Sequence, residues 1–298
     1  MPFVGALAWL AVTVVVRGQP TEGLVAYYPF SGNAQDQGPN GLHGTVHGAT
    51  LAPNRTGQPD LAYAFNGRGD YIDLGNSALL RPTNEVTLSL WASADWANLT
   101  SPGALAGNTH TGGYQLYLNT SAGVVECRAR RGGAYRTATH RLTSLAPGWH
   151  HLAVVCDSTA TSLYVDGTLM AAVTQSGPIQ YSYANNFLVG GEAGSGALPE
   201  GDYFAGAIDE VRVYHRALSR TEIAALSEIP AVLPNIATEG AVLLSWAIVP
   251  GNYDVESAPS TGGPWTRVAG TLLQVDGRMQ FAAAAREHQQ YFRLVRVE

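Results

Sequence analysis

The chain has 298 residues, room for two domains or for one large β domain. Charged residues make up only 13% of it, about half the roughly 25% of an average globular protein, while 34 glycines and 16 prolines mark a turn-rich, mostly uncharged surface. The net charge is −6 and every Lys/Arg position is an arginine, which argues against nucleic acid as a partner, because that needs clustered cations.

In chain order, Phe3–Val16 is an apolar run interrupted only by Thr13. It is too short to span a bilayer and suits the hydrophobic core of a signal peptide, with Val16-Arg17-Gly18 offering compact residues for cleavage before Gln19. Residues 1–18 are therefore expected to be a signal peptide. The mature protein is expected to be secreted or at the cell surface (periplasmic or extracellular if bacterial), without membrane insertion. Gly23–Phe30 reads as a short strand, followed by the glycine-punctuated loop Ser31–Gly48. A loop of that length without periodicity is usually functional or clamped. Two short strands flank a glycine turn in Tyr63–Leu74, and Val86–Ala94 alternates apolar with small polar residues as a half-buried strand does. Tyr114–Leu118 and Val124–Ala129 form a hairpin-like pair; Trp149–Asp157 leads to Leu163–Thr168 with its Asp-Gly turn, and Met170–Thr174 returns. Phe187–Gly191 is a further strand, and Glu192–Asp202 reads as a flexible loop with solvated carboxylates. Gly206–Leu218 closes the unit as a strand containing Asp209 and Glu210, which alternation directs to opposite faces. Ser219-Arg220-Thr221-Glu222 is a capping box that opens a short helix, Thr221–Leu226. Cys127 and Cys156 sit in separate strand runs, leaving open one disulfide or two buried thiols.

About a dozen short strands, one helix and no βαβ alternation point to an all-β sandwich or jelly roll. Five features occur in order: Gly23–Phe30 with Asp36…Gly44, Phe65-Asn66-Gly67 with Asp70-Tyr71-Ile72, Trp149-His150-His151, Leu163-Tyr164-Val165-Asp166-Gly167, and Ile208–Leu218. Together they resemble the laminin-G-like jelly-roll family of the concanavalin A-like lectin/glucanase superfamily, over residues 23–227. The resemblance implies two stacked antiparallel sheets, with the Gly206–Leu218 strand pairing back near the first strand. Residues 228–240 read as a linker and the first segment of a second module. Residues 241–298 hold five strand candidates, and Ser245-Trp246 with Tyr291-Phe292-Arg293-Leu294 resembles fibronectin type III-like modules. The expected fold is an all-β, antiparallel two-sheet jelly-roll sandwich followed by a smaller β-sandwich module.

The chemistry expected of this chain is binding. Calcium takes six to eight oxygens, and the Asp36–Gly44 loop supplies a carboxylate, the Asn40 amide and turn carbonyls. The resemblance brings Asp209 beside that loop and implies a structural Ca2+ held by Asp36 and Asp209, with oxygens from around Asn40 and His43. The Glu-x-Asp-x-x-Glu arrangement of the superfamily's glucanases is absent, as are H-E-x-x-H, a phosphate-cradling glycine loop and a G-x-S-x-G elbow. His150 and His151 are neighbours in a strand and face opposite ways, one packed and one exposed. The protein is therefore expected not to be an enzyme. Among Trp96, Tyr135, Tyr181, Tyr183 and Tyr203, which fall in loops or at strand ends, the run Tyr181-Ser182-Tyr183-Ala184-Asn185-Asn186 groups two aromatics with two amides. Tyr181, Tyr183, Asn185 and Asn186 are thus the expected ligand-binding residues. Arg128, Arg130, Arg131 and Arg136 form the one basic concentration, suited to an acidic glycan or to a solvated hairpin. The functional expectation is an exported, non-catalytic recognition protein binding a glycan or a cell-surface ligand. A structural or adhesive protein that binds protein, and a glycoside hydrolase with an unrecognised site, are the alternatives.

Overall fold

The computed structural model describes residues 14–16, 19–109, 112–194, 199–227, 241–247, 252–258, 263–268, 271–275, 278–284 and 291–297. The chain divides into two compact units, Pro20–Ser227 and a smaller one made of Met1–Gln19 with Glu228–Glu298. The expected linker, 228–240, lies outside the described residues.

The larger unit is built almost wholly of strands: β1 (Leu24–Tyr28), β2 (Thr45–His47), β3 (Thr50–Ala52), β4 (Ala62–Asn66), β5 (Tyr71–Asp73), β6 (Val86–Ala94), β7 (Gly103–Gly107), β8 (Tyr114–Asn119) and β9 (Val124–Arg131). Then come β10 (Ala134–Arg141), β11 (Gly148–Cys156), β12 (Ala160–Val165), β13 (Thr168–Thr174), β14 (Leu188–Val189), β15 (Glu192–Ala193), β16 (Pro199–Gly201), β17 (Ala205–Tyr214) and the helix α1 (Arg220–Ser227). One sheet has eight strands, in the order β13-β12-β11-β6-β17-β4-β3 with β1 also paired to β17; the other has seven, in the order β10-β9-β8-β7-β14-β5-β2. Both are antiparallel, and β15 with β16 forms a separate two-stranded ribbon. This is the expected all-β sandwich. Alternation puts Leu88, Leu90, Leu152, Val154, Ile208, Val211 and Val213 from one sheet, and Leu116, Leu118, Val125 and Ala129 from the other, into one shared core. Cys127 and Cys156 face that same core as free thiols, so the optional disulfide is not formed. Burial pushes both thiols up, Cys156 to about 11, which leaves them protonated and unreactive.

Strand β17 pairs with β6 along one edge and with two strands in turn along the other. Ala205–Ile208 lie against β4, and Val211–Tyr214 lie against β1. The first and last strands of the unit therefore meet, as the resemblance implied. Between the two partners the register with β6 slips, from Asp209 opposite Trp91 to Arg212 opposite Ser89. Two residues of β17 face one of β6 there, which is a bulge, and Glu210 takes up a left-handed φ of +57°. The bulge corrects the expectation that alternation separates Asp209 from Glu210. Trp91 and Ser89 share a face of β6, so Asp209 and Arg212 share one too, and Glu210 bonds to Arg212 and to Tyr27 on that side.

Helix α1 starts where the capping box places it. Glu222 N donates to Ser219 Oγ at 3.3 Å, Ser219 N donates to Glu222 Oε2 at 2.8 Å, and Arg216 pairs with Glu222. The hydrogen bond from Arg216 is the main reason the Glu222 carboxyl is pulled down to about 2. The helix lays Ile223 and Leu226 over Ala153, Val155, Tyr164 and Tyr214 on the outer face of the eight-stranded sheet. Beside them Trp91 Nε1 donates to the Leu226 carbonyl at 3.4 Å.

The smaller unit contains a four-stranded sheet, Val14–Val16, Ala241–Ala247, Arg278–Ala284 and Thr271–Val275, and a three-stranded sheet, Thr266–Arg267, Asn252–Ala258 and Tyr291–Val297. Thr271–Val275 is a strand that the sequence pattern missed. Residues 1–13 and 17–18 of the expected leader lie outside the described residues, but Val14–Val16 pairs in parallel with Leu244–Trp246. That ladder exists only in a chain that keeps its leader.

Removing the α1 contacts should be measurable in urea denaturation. Leu226→Ala is expected to lower stability by about 2–4 kcal/mol, the range for emptying a buried leucine site. Ser219→Ala should cost about 1 kcal/mol through the lost cap. Wild-type stability in both variants would mean that the helix is not part of the cooperative unit.

Candidate functional site

The loop after β1 is organised by Asp36. Its Oδ1 accepts from Tyr27 N at 2.9 Å and Gly38 N at 2.7 Å, and its Oδ2 accepts from Leu42 N at 2.8 Å. Asn40 Nδ2 donates to the Val25 carbonyl at 2.8 Å, and His43 Nδ1 accepts from Asp36 N at 3.2 Å. A long loop without secondary structure is thereby tied to itself and to β1 by a buried carboxylate. Asp209 has a different partner: Arg55 Nη1 reaches its Oδ2 at 3.1 Å from the loop between β3 and β4. Among the described residues no three His, Cys, Asp or Glu side chains form a group able to hold an ion. Of the residues expected to hold calcium, Asp36 is thus engaged by backbone N–H groups and Asp209 Oδ2 by a guanidinium.

Around Asp209 the outer face of the eight-stranded sheet holds a buried polar cluster. Arg55 lies over the Trp91 ring at 4.8 Å, Arg212 over the Tyr27 ring at 3.9 Å, and Ser89 Oγ bonds His151 Nε2 at 2.8 Å. Burial, then the neighbouring Glu210 charge, pushes Asp209 up to about 8 against the pull of Arg55. Burial also opposes the Glu210 carboxylate, but Arg212 and Arg55 outweigh it and hold Glu210 below its ordinary range. Burial, with Arg212 second, drops His151 to about 3, so the ring is neutral. His150 faces the other way, with Nδ1 at 2.6 Å from Asp166 Oδ2 and Nε2 at 3.0 Å from the Ala146 carbonyl. One histidine is packed and the other is partly solvated, as alternation required. Asp209 bonds Arg55 rather than His151, so Ser89 and His151 lack the oriented third member of a triad.

The run 181–186 is scattered by the fold. Tyr181 is packed with its hydroxyl on the Pro82 carbonyl at 2.8 Å, Asn185 is buried, and Asn186 Nδ2 donates to Asp73 Oδ2 at 2.7 Å. Tyr183 is 51% exposed. Trp96 is wholly buried, with Nε1 on the Gly148 carbonyl at 2.8 Å. A cleft lined by Thr83, Asn84, Glu85, Ser158, Pro178 and His215 has a volume of about 870 Å³, but its His215 is bound to the Leu79 carbonyl and its Glu85 accepts from Ala217 N at 3.3 Å.

Side chains of differing chemistry converge instead on the outer face of the seven-stranded sheet. With Leu116, Leu118, Cys127 and Ala138 turned to the core, Gln115, Tyr117, Arg128 and Tyr135 project from the opposite side of β8, β9 and β10. The ribbon of β15 and β16 brings Glu192 and Asp202 to them. Arg128 Nη2 donates to Glu192 Oε1 at 2.7 Å, Arg128 Nε to Gln115 Oε1 at 2.8 Å, and Thr109 Oγ1 to Glu192 Oε1 at 3.2 Å. Tyr117 OH donates to Asp202 Oδ2 at 2.6 Å, and Glu192 and Asp202 are hydrogen-bonded to each other. Burial, opposed by Arg128 and helped by the neighbouring Asp202 carboxyl, pushes Glu192 up to about 7. Asp202 itself sits at a left-handed φ of +47° with its carbonyl bonded to Ala104 N at 2.7 Å. Strained backbone of this kind persists where surrounding contacts fix it, often at functional sites.

Aromatic rings border the cluster. Tyr135 is 36% exposed, with its hydroxyl on the Gly112 carbonyl at 2.6 Å, and on the far side Tyr203 lies by Gly191 and Tyr71, whose ring stacks on His47 at 4.4 Å. Of the five aromatics picked from the sequence, Tyr135 and Tyr203 reach this face. Glu192 and Asp202 were read as solvated loop acids, and the ribbon corrects that reading. Gln115, Tyr117 and Thr109 gave no distinctive signal beyond strand alternation.

The titrations give a signed expectation for stability. Glu192 and Asp209 bind protons more readily folded than unfolded, so each stabilises most below its ordinary range, and that contribution is lost as pH rises towards 7 and 8. His151 works the opposite way up to about 6.5, one group against two. Melting temperature should therefore fall between pH 5 and 8, and Glu192→Gln and Asp209→Asn should each make the fall shallower. A flat or rising profile would contradict the two burials.

The family model described as the concanavalin A-like lectin/glucanases superfamily matches residues 66–224. No curated protein sequence matches the chain. Among solved structures, the chain is similar to domain 4 of AbnA, an extracellular arabinanase from Geobacillus stearothermophilus solved in complex with arabinotriose. The TM-score is 0.55 and the identity 20%, over 69% of this chain and 98% of that one. It is similar to the binding domain of Paraclostridial mosquitocidal protein 1, with TM-score 0.54 and identity 15%, over 86% of this chain and 66% of that one. The binding domain of botulinum neurotoxin serotype G gives TM-score 0.53 and identity 10%, over 88% and 65%. At these identities the likeness is one of fold.

Proposed function

The chain belongs to the concanavalin A-like lectin/glucanase superfamily, and on that basis we propose that it is an exported, non-catalytic protein that binds a glycan. The observation that carries the proposal is the face built by Glu192, Asp202, Arg128 and Gln115 between the rings of Tyr117, Tyr135 and Tyr203. Sugars offer hydroxyls to such polar groups and C–H faces to aromatic rings, and sites of this kind combine a few placed polar groups with apolar walls. The arabinotriose complex of a similar domain adds weight, as a property of that protein.

The same pair of acids supports binding without hydrolysis. Glycosidases hold their two carboxyl groups about 5–5.5 Å apart when retaining and about 6.5–9.5 Å when inverting, with the scissile bond between them. Glu192 is instead held by Arg128 and Thr109, and Asp202 by Tyr117, so both carboxyl groups are engaged by protein partners. Export rests on the apolar run Phe3–Val16. The smaller unit, left with two sheets of three strands each once Val14–Val16 goes with the leader, is proposed to be a fibronectin type III-like module.

Pull-down on a polysaccharide panel tests the binding. Retention that falls about tenfold or more in Tyr135→Ala and Tyr203→Ala is expected, since these rings supply the apolar walls against which sugar C–H faces pack. A panel with no retention, alongside tight binding to a cell-surface protein, would replace the glycan reading with an adhesive one. Release of reducing sugar would overturn the non-catalytic reading. Intact mass of the exported protein tests export: a chain beginning at Gln19 is expected, and a retained leader contradicts cleavage there.

A further inference from the structure

Each nitrogen of Arg128, the guanidinium at the centre of this face, already has a protein acceptor beside it. Nε donates to Gln115 Oε1 at 2.8 Å, Nη2 to Glu192 Oε1 at 2.7 Å, and Nη1 lies 3.8 Å from Glu126 Oε1. The Tyr117 and Tyr135 rings lie over its carbon at 4.2 and 5.7 Å. The neighbouring arginines do not add to it. Arg130 Nη1 reaches Ser182 Oγ at 3.3 Å, and Arg131 is buried, bound to the carbonyls of Asp157, Gln175 and Asn84. Arg136 pairs in register with the core-facing Ala129, so it lies on the other face of the sheet from Arg128. Two carboxyl groups, Glu126 and Glu192, flank this guanidinium, and Asp202 bonds the Tyr117 whose ring lies under it.

We propose that this site, if it is the glycan site argued above, selects uncharged saccharides and excludes uronates and other acidic sugars. A sugar carboxylate has no uncompensated cation to meet among these side chains. To pair with Arg128 it must displace Glu192 or Glu126 and leave that acid unpaired beside another carboxyl group, and like-charge contacts of this kind reject wrong partners. A neutral sugar needs no such exchange. Its hydroxyls donate to the carboxyl oxygens of Glu192 and Asp202.

Calorimetric titration of the full chain at pH 7 with two ladders of matched length, neutral arabino-oligosaccharides and oligogalacturonates, tests the selectivity. The neutral ladder is expected to bind and the uronate ladder to bind at least about tenfold more weakly. Glu192→Gln keeps the shape of the protonated residue and removes one negative charge, so it should narrow the gap between the ladders, with folding checked by circular dichroism. Uronates that bind as tightly as neutral sugars would overturn the selectivity while leaving the glycan reading in place. A gap unchanged in Glu192→Gln would overturn its assignment to this cluster. Binding of neither ladder, with the panel also blank, would remove both readings.

Discussion

The pairing of β17 with two successive partners is the constraint on which the larger unit depends. One edge of this strand is taken by β6 throughout, while the other passes from β4 to β1 near Asp209 and Glu210. A strand shared in this way must absorb a change of register where one partner ends and the next begins. A bulge does so by adding one residue and bending the strand. The residue that absorbs it is Glu210, in a left-handed conformation that costs a non-glycine residue energy and needs support from its surroundings. Arg212, and Tyr27 through its hydroxyl, supply that support from the same face. The chain's first strand is held to its last at this point, so the unit is closed by backbone ladders and a buried charge network.

Each sheet carries a polar group on its outer face, and the two differ in chemistry. The Asp209 group is nearly closed to solvent: Arg55 covers Trp91, and Ser89 Oγ bonds His151 Nε2. Buried networks of this kind mainly fix one arrangement, because any member left unpaired is costly. The Glu192 group is half-open, bordered by rings and resting on a ribbon of two short strands. Its acids are held by Arg128, Thr109 and Tyr117. That separates a closed, position-fixing cluster from an open one suited to a ligand.

Much of the fold was legible in the residues themselves. Alternation in Val86–Ala94 and Trp149–Cys156, the Asp-Gly turn at Asp166-Gly167 and the capping box at Ser219 each correspond to an element close to the expected place. The candidate site was much less legible. Tyr135 and Tyr203 stood out as aromatics at strand ends, but Glu192 and Asp202 looked like solvated loop acids because the ribbon that holds them has only two and three residues per strand. Tyr181 and Asn185 looked like a binding cluster and proved to be packing residues, since closeness along a chain does not keep side chains on one surface.

What the sequence by itself determined was the local grammar: strand period, turns, helix cap and the absence of hydrolase motifs. These depend on residues within a few positions of one another. Tertiary structure alone decided which acids meet which cations. Asp209 found Arg55 across 154 positions and Glu192 found Arg128 across 64. Such pairings, and the bulge that turned Glu210 towards Asp209, arise from strand order and register, which bring distant segments together and leave no periodic trace in either one.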